Sequence, residues 1–176
     1  MFAERLMQRV MALVILALAL SGTSCAKAAP PKPNFGGNWT FDVEATKASA
    51  TEAKMDGLAL FMENFSAEQD AKVFSMKVEL GQMLVTATYN LDGSVSKNMS
   101  PSGTSGADPI EVTSNATWDG MTLVVTSTSV SPSANGPIEV KSARKMWLDA
   151  QGRLVVERSG TPDTIVRTSR SVYRKK

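Results

Sequence analysis

From residue 65 onward, apolar residues recur at every second position in short segments separated by turn signals. This pattern constrains the fold more than any other feature of the chain. Phe74, Met76, Val78 and Leu80 alternate with Ser75, Lys77 and Glu79, and after Gly81-Gln82 the set Met83, Val85, Ala87, Tyr89, Leu91 repeats the rhythm. A period of two sends successive side chains to opposite faces of a half-buried strand. Asp92-Gly93 and Asp119-Gly120 interrupt the runs with residues that tolerate positive φ, a strong hairpin signal. The pattern predicts strands over 94–99, 111–118, 121–130, 138–148, 153–158 and 164–174, with polar loops at 100–109 and 131–137. Upstream, Gly36-Gly37 opens a strand in which Trp39, Phe41 and Val43 share a face. The expectation is an all-β chain of eight to ten antiparallel strands, whose spacing means a sandwich or a barrel.

Residues 46–64 break the rhythm. Alanines at 45, 48, 50, 53 and 59 favour helix, and Met55, Leu58, Phe61 or Met62, and Phe65 recur at helical spacing. Ser49-Ala50-Thr51-Glu52 has the form of a capping box. One or two short helices after the first strand are expected, with Ser49 as the cap.

The N-terminus reads as a leader. Arg5 and Arg9 precede an apolar run of 11 residues, Val10 to Leu20, and Ala26-Lys27-Ala28 has the A-x-A form of a signal-peptidase site. Eleven residues are too few for a membrane-spanning helix, which takes ~20. The expected organisation is a signal peptide over 1–28, a proline-rich linker over 29–35 and one domain over 36–176, exported to the periplasm or secreted. Cys25, the single cysteine, permits an alternative: Gly22-Thr23-Ser24-Cys25 resembles a bacterial lipoprotein signal at its last two positions, which would make Cys25 a lipidation site and the protein membrane-anchored. Either way the domain has no disulfide and depends on an apolar core.

The chain has no histidine. That removes the usual general base near neutral pH and the commonest metal ligand, and with them Ser-His-Asp, Cys-His and His-ligated zinc chemistry. No catalytic, cofactor or metal-binding residue is singled out, and a non-enzymatic protein is expected. Charge divides unevenly: residues 29–140 hold 6 basic and 13 acidic side chains, whereas 141–176 hold 10 basic and 3 acidic. The two halves cancel, which argues against a nucleic-acid binder.

Gly37-Asn38-Trp39 at the start of the first strand, followed by short helices, hairpins and a basic last strand, resembles the calycin group, the lipocalins and fatty-acid-binding proteins. The resemblance extends to exported, lipocalin-like bacterial domains. It implies an antiparallel up-and-down β-barrel. It also implies that Trp39 packs at the closed barrel end beneath a basic residue of the last strand, Arg170 or Arg174. The ending Ser171-Val172-Tyr173-Arg174-Lys175 is similar to the last strand of the fatty-acid-binding proteins, with Ser171 in place of their arginine.

A barrel of about eight strands is wide enough to hold one small ligand or to be filled by side chains. If Met146 and Leu148 face inward, so does Arg144; if Ile165 and Tyr173 face inward, so does Arg167. Interior arginines are costly unless paired, and suit a ligand carboxylate or phosphate. Arg144, Arg167, Tyr173 and Trp118 are therefore the ligand-binding candidates, for a small hydrophobic or anionic amphipathic molecule. A filled barrel would favour an envelope protein–protein interaction or inhibitor module, acting through loops 100–109 and 131–137 or the basic C-terminal strands. Membrane contact is expected only if Cys25 is lipidated.

Overall fold

The computed structural model describes residues 30–53, 63–81, 83–101, 108–133, 135–161 and 167–176, without the side chains of Thr161 and Arg167. The signal segment, Cys25, the apolar positions 55–62 and most of the 100–109 loop lie outside these residues. The chain divides into two units, residues 1–31 and 32–176, and the second carries all the described strands.

Ten antiparallel strands run up and down around the second unit: β1 (Gly37–Phe41), β2 (Phe65–Gln69), β3 (Val73–Leu80), β4 (Met83–Asn90), β5 (Val95–Ser100), β6 (Ile110–Asp119), β7 (Thr122–Ser131), β8 (Ile138–Leu148), β9 (Leu154–Thr161) and β10 (Arg167–Lys175). Their hydrogen-bonded order, β4-β3-β2-β1-β10-β9-β8-β7-β6-β5, brings the first strand against the last and makes a nearly closed barrel. Aspartates at the turns bond back to the backbone: Asp70, Asp92 and Asp149 each accept an N–H from two residues on. These local bonds favour the tight chain reversals. Gly120 completes the β6–β7 turn at φ +58°, a conformation costly for a side chain.

The seam between β4 and β5 has no backbone ladder. Side chains span it instead. The Asn98 carboxamide accepts from Thr88 N at 2.7 Å and donates to Thr88 O at 3.0 Å, as a peptide group of a neighbouring strand would. Ser96 Oγ accepts from Asn90 N, and Asn90 Nδ2 donates to Val95 O. Strand-edge amides must find partners, and these side chains provide them. Asn98→Ala is expected to cost about 1–3 kcal/mol, since it strands both Thr88 groups; urea unfolding would measure the loss.

One helix, α1 (Val43–Glu52), follows β1 among the described residues. It starts earlier than the capping-box reading places it. The cap is Asp42, whose carboxylate accepts from Ala45 N at 3.0 Å. Ser49 lies inside the helix and Glu52 ends it, so the Ser49–Glu52 box does not form. The reason lies in tertiary structure: β1 ends at Phe41, Asp42 N donates to Val172 O, and Arg174 ion-pairs with Asp42 at 2.9 Å. These contacts fix the chain reversal at Asp42. Thr46 Oγ then accepts from Val172 N at 2.9 Å, continuing along β10 the pairing that β1 leaves off.

The core fills one end of the barrel. Phe35, Trp39, Phe74, Leu123, Met146, Leu154 and Tyr173 are essentially inaccessible there. Phe35, at the end of the segment expected to be a linker, is part of this core. It packs edge-on to Phe74 at 6.1 Å and stacks on Trp118 at 5.7 Å. The Gln69 carboxamide holds its backbone in place by accepting from Phe35 N and donating to Pro33 O.

Trp39 donates through Nε1 to Phe35 O at 2.8 Å. The cation above its ring is Lys175 Nζ, at 5.7 Å, and neither of the expected arginines. Register explains this. Trp39 pairs directly with Lys175, so the two share a face, whereas Arg170 and Arg174 have the opposite parity on β10. Gly37 has φ +129°, and a Cβ there would lie 2.5 Å from Lys175 Cε. The motif glycine therefore provides the space through which the lysine stem passes to reach Trp39.

Candidate functional site

Cross-strand partners in an antiparallel sheet share a face. The registers therefore define rows of inward side chains climbing from the filled end. Trp118, Leu123, Met146, Val156 and Ser171 form one row, and Ala116, Val125, Arg144, Arg158 and Ser169 form the next. Above these come Ser96, Ser114, Ser127, Ser142 and Gly160. The interior thus changes from aromatic and aliphatic to charged and hydroxylated within two rows. Within these rows Arg144, Arg158, Ser127 and Ser142 remain partly accessible although they face inward, whereas Ala116, Val125, Ser169, Ser114 and Ser96 are buried.

Arg144 and Arg158 are direct partners across β8 and β9. Arg144 Nη1 donates to Tyr89 OH at 3.3 Å and to Met76 Sδ at 3.5 Å. Among the described residues it meets no carboxylate. Burial, and then the Arg144 charge, pull the Arg158 pKa down to about 10; Tyr89 and Tyr173 oppose the shift. Like charges on adjacent strands each raise the cost of charging the other. Burial pushes the Tyr173 hydroxyl up to about 12, against a hydrogen bond with Ser171 and the nearby positive charge of Arg144 and Arg158. It therefore stays a neutral hydroxyl at any physiological pH.

Of the candidates, Arg144 lies in this interior. Tyr173 lies at its floor, packed edge-on to Phe65 at 5.0 Å and Phe41 at 5.7 Å. Trp118 is at the filled end, with Phe35 on one side and Lys32 5.6 Å from its ring centre, so its faces serve the plug. Arg167 pairs with Gly160 through the backbone, and its side chain lies outside the described residues. Arg170 is on the outer surface, ion-paired with Glu157 at 2.7 Å, 5.5 Å from the Trp147 ring and bonded to Ser49 of α1. It ties the helix to the barrel wall and is not the partner of Trp39.

Sequence reading missed Arg158. The signal was present: Leu154, Val156 and Arg158 alternate on β9, so burying the first two carries the third inward.

Among the described residues, no three His, Cys, Asp or Glu side chains gather as a metal site. No family model and no curated protein matches this chain.

Proposed function

We propose that this chain is an exported carrier that holds a small amphipathic anion inside a calycin-like barrel. The supporting observation is the inward-facing pair Arg144–Arg158, placed where the packed core gives way to a partly accessible interior. Two like charges facing inward on adjacent strands would be offset by the negative group of a ligand. The ten-stranded order with a helix after β1 is the arrangement the calycin resemblance implies. Binding rather than catalysis fits a chain without histidine. The signal segment supports a periplasmic or secreted location, or a membrane-anchored one if Cys25 is lipidated.

Native mass spectrometry of protein purified gently from its own envelope tests the reading. A discrete extra mass, lost on denaturation, is the expected result. A clean apo mass together with no sulfate binding would overturn it.

The charge of Arg158 leads to a pH prediction. Sulfate keeps its charge throughout the alkaline range, so its affinity reports the protein's groups. Because the Arg158 pKa is lowered to about 10, sulfate affinity should hold up to that pH and fall beyond it. Calorimetric titrations between pH 8 and 11 would show the decline, and a flat profile would remove Arg158 from the site.

A second reading, an envelope interaction module, draws on the apolar residues at the outer ends of β4, β5 and β7. Leu84 is 64% exposed, Val130 57% and Met99 55%. A pull-down that fails with Leu84→Ser/Met99→Ser but succeeds with Arg144→Gln would favour this module.

A further inference from the structure

We propose that the serines around the arginine pair form a hydrogen-bonding subsite, so that the ligand is a ring-sized hydroxylated anion, such as a sugar phosphate, and not a long-chain one. This rests on the anion-carrier reading above.

The first observation is Ser169. It is the direct partner of Arg158 across β9 and β10, and it is 3% exposed. Among the described residues its hydroxyl has no hydrogen-bond partner. The hydroxyl stands on the inner face beside Arg158, where it can both donate and accept.

The second observation is the row next to the pair. Ser142 and Gly160 lie two residues from Arg144 and Arg158 on the same strands, about 7 Å along each. Ser142 continues through Ser127 and Ser114 to Ser96, one hydroxyl per strand across four strands. Ser114 and Ser127 share a bond of 2.8 Å, and Ser96 accepts from Asn90 N. Ser142 has no side-chain partner among the described residues. Each of these hydroxyls can make more bonds than the protein supplies.

An alkyl chain laid on this row would dehydrate hydroxyls without replacing their hydrogen bonds. A ring carrying its own hydroxyls would replace those bonds. Across the barrel, Val78 and Val85 pair on the inner faces of β3 and β4, and Ala87 follows. That wall suits the C–H face of a sugar ring. The other end is filled by the chain's own aromatics, and the partly accessible members of the hydroxyl row are Ser127 and Ser142.

Three probes share one anionic group: inorganic phosphate, glucose 6-phosphate and octyl phosphate. Calorimetry on the whole mature protein should find glucose 6-phosphate at least tenfold tighter than octyl phosphate. Ser127→Ala/Ser142→Ala should bring the two within threefold while leaving inorganic phosphate unchanged; circular dichroism would confirm the fold. Octyl phosphate binding more tightly, or a ratio unmoved by the double substitution, overturns the subsite and leaves the carrier reading intact. Failure of all three probes to bind overturns both.

Discussion

Phe35→Ala is expected to destabilise the fold by about 3–5 kcal/mol, the range for emptying a fully buried phenylalanine site. The side chain is inaccessible to solvent and fills the space between Phe74 and Trp118, and its own carbonyl receives the Trp39 Nε1 hydrogen. In a domain of this size the loss should lower the melting temperature by roughly 10 °C. Lys32→Ala, three residues earlier, removes only an exposed cation near Trp118 and a bond to Gly120 O, and should cost less than about 1 kcal/mol. Thermal unfolding of the two variants separates a plug from a tether. If they behaved alike, Phe35 would not be the residue that closes the barrel end.

Arg144→Met should do the opposite to the fold and remove the function. Methionine keeps the length and apolar stem of arginine while removing a charge that faces Arg158. Replacing a buried charge by an apolar residue of similar size is often neutral or stabilising, by up to about 4 kcal/mol. Below about pH 10 Arg158 is charged in both the folded and unfolded chain, and its lowered pKa means that burying that charge is a standing cost. Removing its like-charged neighbour relieves part of that cost. Affinity for sulfate or phosphate should fall at least ~30-fold, the scale for losing one member of a buried charge contact. Higher thermal stability with lost anion binding marks a site maintained for function at the expense of stability. Lower stability would instead make Arg144 a structural link through Tyr89 and Met76.

Much of the barrel could be read directly from the chain. Alternation located most of the strands, and Asp119-Gly120 located the β6–β7 hairpin, because both signals are local; Asp92-Gly93 makes a turn, but the strands it joins share no backbone ladder. The α1 start was not legible. Ser49-to-Glu52 satisfies a local capping rule, yet Asp42 caps the helix because β10 presents Val172 and Arg174 at that point. The partner of Trp39 was misread by one step of parity on the last strand: Lys175 shares its face and Arg170 does not. Phe35 gave little local sign of burial, since it follows three prolines and has no periodic neighbours on its N-terminal side.

At the candidate site, alternation on β8 was enough to send Arg144 inward, and the same logic on β9 would have sent Arg158. That the two meet depends on register. Arg144 and Arg158 are 14 residues apart, and only the turn of residues 149–153 decides that they oppose each other. The hydroxyl row depends on register still more, since it aligns one serine from each of β5, β6, β7 and β8. By itself the sequence determined most strands and turns and which residues of one strand share a face, because a period of two is a property of the extended chain. The tertiary structure decided which faces meet, which end is filled, and that two arginines and a row of serines share one interior. Those outcomes depend on strand pairing across the whole barrel, which no local stretch of sequence encodes.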